Sequence, residues 1–205
     1  MFAVIFEVQP KSDRWDQYLE LAKLLRPELE QIKGFIDNER FKSRRTEGRL
    51  LSLSIWADEK AVVRWRTHAM HHGVQEKGRF EVFEDYHLRV GEITADTQPP
   101  TGKRLEQQRF DETEVGAAKV ISICAGQAVP DPSDAAVHDA ELFESITTQG
   151  KLLRLVSWRD PAAADGWNPT SVRHRRVRVI RDYGMADRRE APQYYPPAKS
   201  QMTET

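Results

Sequence analysis

Hydrophobic and polar positions follow a recurring order along the first half of the chain. Phe2–Val8 is a nearly continuous apolar run with Glu7 as its only charge, the pattern of a strand buried on both faces. Pro10 ends it, and Ser12 and Asp13 offer an N-cap for the next element. Trp15, Tyr18, Leu19, Ala22, Leu25, Leu29 and Ile32 fall at helical spacing on one stripe, closed by Gly34. Pro27 predicts a kink in this helix or a split into two pieces. Phe35–Lys42 and Leu50–Trp56 read as strands joined by the polar turn RRTEGR, with Leu51, Leu53 and Ile55 alternating against Ser52, Ser54 and Trp56. Asp58 then caps a helix carrying Ala61, Val62 and Trp65, and helical character resumes through His71, Val74 and Gln75 to Gly78. Tyr86–Ile93 is a fourth strand. The order β-α-β-β-α-β predicts an α+β fold, a ferredoxin-like unit with an antiparallel sheet and helices on one face.

The second half repeats this pattern in shortened form. RFKSRRTEGRLLSLSIWADEKAVVRW (Arg40–Trp65) lies without gaps over LFESITTQGKLLRLVSWRDPAAADGW (Leu142–Trp167). Phe41 meets Phe143, Gly48 meets Gly150, Trp56 meets Trp158, Asp58 meets Asp160, and Trp65 meets Trp167. The match keeps the turn glycine, the strand alternation and the helix cap at one offset, which marks an internal duplication. After Trp65 the first copy continues RTHAMHHGVQEKGRFEVFEDYHLRV, whereas the second has only NPTSVRHRRVRV after Trp167. QAVPDPSDAAVHDA likewise replaces the long first helix. A pocket built on the second helix and its sequel is therefore expected in the first copy alone. The predicted organisation is a complete unit over 1–95, a polar linker over 96–117, a shortened copy over 118–187 and a poorly ordered tail over 188–205. The second copy is expected to pack against the first and close its open sheet.

Composition narrows the function classes. Of 205 residues, 39% are hydrophobic and 31% charged, as in a globular protein, and the net charge of −1 gives no general attraction to nucleic acid or to a membrane surface. One cysteine, Cys124, cannot staple a fold and suits a reducing cytoplasm, the expected location since no targeting segment is visible.

The stretches AVIFEV, LRPELEQIKGFIDNERF, LLSLSIWADEKAVVRWR, the spaced set His71, Gln75, Gly78 and Arg79, and finally DYHLRV resemble the antibiotic biosynthesis monooxygenase (ABM) domain family, over about residues 2–94. RVIRDYGMADRREAP resembles the segment after the last strand in the same branch, which places the second copy in the family as a degenerate member. The resemblance implies ferredoxin-like units whose sheets pair into an α+β barrel. In a two-unit chain that barrel is either an intramolecular pseudo-dimer or part of a homodimer. It also implies oxygenation of a small aromatic or quinol-like substrate without metal or organic cofactor. Other members degrade haem, and many have no known reaction.

Cofactor-free oxygenation needs a base, donors for the resulting anion and a dry pocket. His71 is the candidate base, Gln75 and Arg79 the anion-stabilising groups, and Trp65 a stacking wall for a flat substrate. Each has a packing alternative. Trp65 shares the apolar stripe of Ala61 and Val62 and is repeated as Trp167, so it also fits a core. His71 also fits a cap at the break between two helical pieces, Gln75 and Arg79 surface positions, and Gly78 a helix-ending backbone. His68, His71 and His72 make no metal motif with the neighbouring residues and read as solvated. The first-strand asparagine used by haem-degrading and many cofactor-free relatives is missing, with Glu7 the only polar stand-in, and Gln75 stands where the haem-degrading histidine falls. A non-catalytic ligand-binding or structural relative is the alternative, and an apolar pocket beside His71 separates the two readings.

Overall fold

The computed structural model describes residues 1–132 and 136–193. The first half contains strand β1 (Phe2–Pro10), helix α1 (Trp15–Gln31), strands β2 (Phe35–Ser43) and β3 (Leu50–Trp56), helices α2 (Glu59–Thr67) and α3 (Ala69–Lys77), and strand β4 (Phe83–Asp96). The second half contains β5 (Val120–Gly126), β6 (Val137–Ser145), β7 (Leu152–Trp158), helix α4 (Pro161–Gly166) and β8 (Arg173–Gly184). The first half orders its strands β4-β1-β3-β2 and the second repeats the order as β8-β5-β7-β6. The two sheets join at β2–β6 and β4–β8, and all eight strands close one antiparallel barrel.

The repeat is visible in the bonds. Gly48 and Gly150 both adopt positive φ, 75° and 74°, a conformation that favours glycine. Asp58 accepts from the Ala61 amide and Asp160 from the Ala162 amide. At the β2–β6 junction Lys42 faces Glu144, its own counterpart, while Phe41 faces Ser145 and Ser43 faces Phe143. Ser43 donates to Glu141 (2.5 Å) and Ser145 donates to Glu39 (2.6 Å), reciprocal bonds across a local pseudo-two-fold. Arg45 donates to the buried Glu141 at 2.6 Å, and Lys151 pairs with Glu39.

Alternation along each strand separates two kinds of core. One face fills the barrel with Ala3, Ile5, Phe41, Leu53, Ile123 and Phe143 among others. The outer face packs under the helices: Val8, Tyr18, Leu50, Phe83, Tyr86 and Tyr183 in one cluster, and Phe2, Leu29, Trp56, Ala61, Val62 and Ile180 in another. Under the six-residue α4 the corresponding cluster is smaller, with Val156, Trp158 and Ala164.

Several local expectations are corrected. Asp13 does not cap α1: Arg14 precedes the helix without a side-chain cap, and Asp13 lies against Arg14 in solvent instead. Pro27 does not split α1, which runs unbroken because Leu25 and Leu29 anchor it on both sides of the missing amide bond. Gly78 is right-handed (φ −53°) rather than a left-handed stop, and it opens a π-helical turn over Gly78–Val82. A Cβ there would lie 2.6 Å from the Phe83 ring, so close packing is what requires glycine. Segment 97–117 holds no helix or strand but is strapped down: Glu92 accepts from the Gln108 and Arg109 amides, and Thr113 is buried. Of the expected tail, residues 194–205 lie outside the described residues. Among the described residues no helix is long and apolar enough to cross a membrane.

Two outcomes test the closure. Deleting 110–205 exposes the β2 and β4 edges and the barrel-filling face, and the remaining fragment is expected to self-associate or unfold. A folded, strictly monomeric fragment in analytical ultracentrifugation contradicts it. Glu141→Ala leaves Arg45 and Ser43 without their buried acceptor and is expected to cost about 3 kcal/mol in urea unfolding, far more than Glu144→Ala at the exposed pair.

Candidate active site

A cavity of about 840 Å³ lies between the outer face of the sheet and the first-half helices. Its floor is two cross-strand rows set by the register. One runs Asn38, Ser54, Val4, Val90, Arg181 across β2, β3, β1, β4 and β8; the next runs Arg40, Ser52, Phe6, Leu88, Tyr183. All ten side chains line the cavity. The floor is therefore polar on β2 and β3, apolar in the middle, and polar again on β8. Tyr18, Ala22, Leu25 and Leu29 of α1 form one wall, their spacing placing them on one helical face.

The roof comes from a broken helix. His68 takes an extended conformation (φ −63°, ψ 127°) between α2 and α3. The break frees the Trp65 carbonyl, which accepts from the His68 amide at 3.2 Å and from His71 Nδ1 at 2.8 Å. α3 has no fully buried residue, and its half-buried His71, Val74 and Gln75 face the cavity. His71, Gln75 and Arg79 follow one another at four-residue steps along this roof, and all three line the cavity with Trp65. The four site residues expected from the sequence thus border one space.

The geometry defines the state of His71. A carbonyl only accepts, so Nδ1 carries the proton and Nε2 of the neutral ring keeps its lone pair. The imidazole stacks on Trp65 at 4.1 Å and 13°. Burial, with small help from neighbouring His68 and His72, pushes its pKa down to about 4, against the opposing bond to Trp65. His71 therefore caps the helix break with one nitrogen and holds an unprotonated nitrogen at neutral pH. Trp65 also packs against the cluster of Phe2, Leu29 and Trp56, and His71 covers one of its faces. Trp167 packs near Trp158 and His174.

The three neighbouring histidines diverge. His68 Nε2 lies 3.5 Å from Glu28, His71 faces the Trp65 carbonyl, and His72 lies 3.8 Å from Glu76. Among the described residues no group of three metal-ligating side chains converges.

Two expectations change. Glu7 does not reach the cavity: its side chain sits on the opposite face of β1, buried and paired with Arg89. The pocket is not built by the first copy alone. β8 pairs with β4, so the floor continues onto Arg181 and Tyr183, and Arg188 bonds the Tyr86 hydroxyl at its edge. Asn38 and Arg40 were also not singled out from the sequence. Their two-residue spacing put them on one face of β2, but nothing local said which face looked toward the cavity. Burial raises the pKa of Tyr183 to about 12, so its phenol stays protonated.

The first 77 residues match the family model described as antibiotic biosynthesis monooxygenase. Jasmonate monooxygenase ABM of Pyricularia oryzae (strain 70-15) is 44% identical over 216 residues, covering 97% of this chain and all of that protein. The uncharacterized protein YqjZ of Bacillus subtilis (strain 168) is 33% identical over 92 residues, 45% of this chain and 78% of that one. A crystal structure of aldoxime dehydratase OxdRE with butyraldoxime superposes with a TM-score of 0.55 at 9% identity, covering 91% of this chain and 80% of that one, a likeness of fold alone.

The depressed pKa of His71 has a consequence for stability. The unfolded chain binds a proton near pH 6.5, whereas the folded chain does so only near 4, so stability is lost as pH falls through this window. The loss is at most about 3 kcal/mol. Urea unfolding of the native protein and of His71→Gln at a series of pH values is expected to show the variant losing less stability between pH 6.5 and 4. Parallel curves contradict this.

Proposed function

The chain belongs to the antibiotic biosynthesis monooxygenase family, and we propose that it is a monooxygenase of a small, mainly apolar molecule held under α3. The observation that carries the reading is the cavity beside His71, whose neutral imidazole offers Nε2 as a base at neutral pH. His71 takes a proton from an acidic C–H or phenolic O–H of the substrate. The imidazolium and the substrate anion then form an ion pair in a space of low dielectric, with Gln75 and Arg79 as donors to the anion. This pairing makes transfer to a weakly basic ring feasible. Trp65 holds the ring by stacking and through its carbonyl.

The electron balance depends on the substrate. A methylene activated by a neighbouring carbonyl, as in an anthrone, reacts with one molecule of dioxygen. Both of its C–H bonds and the O–O bond break; one oxygen atom becomes the new carbonyl oxygen, and the other leaves as water with the two hydrogens. The methylene supplies all four electrons, so no further reductant is needed. Hydroxylation of an unactivated C–H bond takes two electrons from an external two-electron donor. Quinol-like aromatics fit the first case. Jasmonate, named for the relative of 44% identity, is a small acid with an apolar ring and chain, and is the second candidate.

The test is turnover of an anthrone and of jasmonate under isotope-labelled dioxygen, with and without a two-electron donor. One labelled oxygen atom is expected in the product. His71→Gln is expected to lower the rate about 100-fold. The native rate should hold from neutral pH down to about 5 and fall toward 4, as His71 protonates and loses its lone pair. No incorporation above the buffer rate for either substrate moves the protein to a ligand-binding role.

A further inference from the structure

The cavity described above carries an unbalanced charge. Six arginines line it: Arg40, Arg66, Arg79, Arg181, Arg188 and Arg189. Among the described residues its two carboxylates are engaged elsewhere, Glu59 with Arg109 (2.6 Å) and Glu76 beside His72 (3.8 Å). Arg189 pairs with Asp187. The other five form no ion pair with a carboxylate among the described residues. A site for a neutral molecule has no need of so many unpaired guanidinium groups around an apolar floor.

Arg40 is distinct among them. Its Nε is buried without a hydrogen-bond partner. The Tyr18 hydroxyl contacts its guanidinium, a neutral oxygen that leaves the charge uncompensated. Ser52 lies directly opposite Arg40 in the β2–β3 register. Asn38 donates to Ser52 Oγ at 3.1 Å and to the Leu53 carbonyl at 3.1 Å. The Ser52 oxygen is thus used as an acceptor, and its O–H is left to donate. One corner of the cavity therefore presents a guanidinium and a hydroxyl donor side by side, the complement of a carboxylate.

We infer that the substrate of this site is a carboxylate, and that Arg40, supported by Tyr18 and Ser52, is the specificity-determining residue that binds its acid group. The inference rests on the reading of this cavity as the substrate site. Val4 and Val90, which like Trp65 pack against the cluster of Phe2, Leu29 and Trp56, lie two and three strands away from Arg40. At about 4.8 Å per strand, roughly 10 to 14 Å of floor separates the anchor from these two valines. Val4, Phe6, Leu88 and Val90 line that interval, so the ligand between the two ends is apolar.

The experiment is calorimetric binding, without turnover, of jasmonate and a naphthoate against their neutral methyl esters. The native protein is expected to bind at least one acid tenfold or more tighter than its ester. Arg40→Gln should weaken the acid 10- to 100-fold and leave the ester unchanged, with Arg40→Lys between the two. Arg181→Gln, at the other end of the same floor, should weaken the acid less than Arg40→Gln does. Circular dichroism and thermal midpoints of the variants confirm that they fold. Equal affinity of acid and ester, no binding of either acid, or a loss seen in Arg181→Gln instead of Arg40→Gln overturns the assignment. Arg40-dependent acid binding without oxygen incorporation sinks the monooxygenase reading and leaves the anchor standing; turnover insensitive to Arg40 does the reverse.

Discussion

The architecture depends on two antiparallel junctions, β2 with β6 and β4 with β8. Each half alone is a four-stranded sheet with two open edges and a face of Ala3, Ile5, Leu53 or Ile123, Leu155, Val177 that has nothing to cover it. Pairing the edges buries both faces in one barrel. The β2–β6 junction is short, three pairs, but reinforced by crossed bonds: Ser43 to Glu141, Ser145 to Glu39, Arg45 to Glu141 and Lys151 to Glu39. These charges are partly or fully desolvated, so each depends on its partner being present. A duplicated sequence supplies both partners in one chain, so closure is not concentration-dependent.

Closure also makes the halves unequal in role. The barrel interior is filled by side chains from both copies, and the cavity lies on the helix-facing side of the sheet. There, among the described residues, the first copy has three α-helices and the second the six-residue α4. Loss of the longer elements from the second copy removed one roof and kept the strand that extends the remaining floor. Arg181, Tyr183 and Arg188 serve a cavity roofed by the other copy.

Within that cavity the chemistry is asymmetric along the floor. The roof end holds a neutral imidazole fixed by a carbonyl and a stacked indole, a group kept in its base form by burial. The β2 end holds an unpaired guanidinium beside a hydroxyl. Val4, Phe6, Leu88 and Val90 make the middle of the floor apolar.

The features legible in the sequence are those fixed within a few residues. Gly48 and Gly150 mark matched turns because only a positive φ closes them, and Asp58 and Asp160 mark matched helix starts because a carboxylate satisfies free amides. His71, Gln75 and Arg79 share a face because four residues make about one helical turn, so their convergence is legible in the sequence. Other features are not local. Glu7 and Phe6 are neighbours in sequence but lie on opposite faces of β1, and only the barrel decides which face is interior. Asn38 and Arg40 become floor, and β8 becomes part of a first-half site, through registers between strands far apart in the chain. Local periodicity determined the elements and one edge of the site; closure of the sheet determined which side chains face the cavity, because strand alternation fixes two faces without naming either.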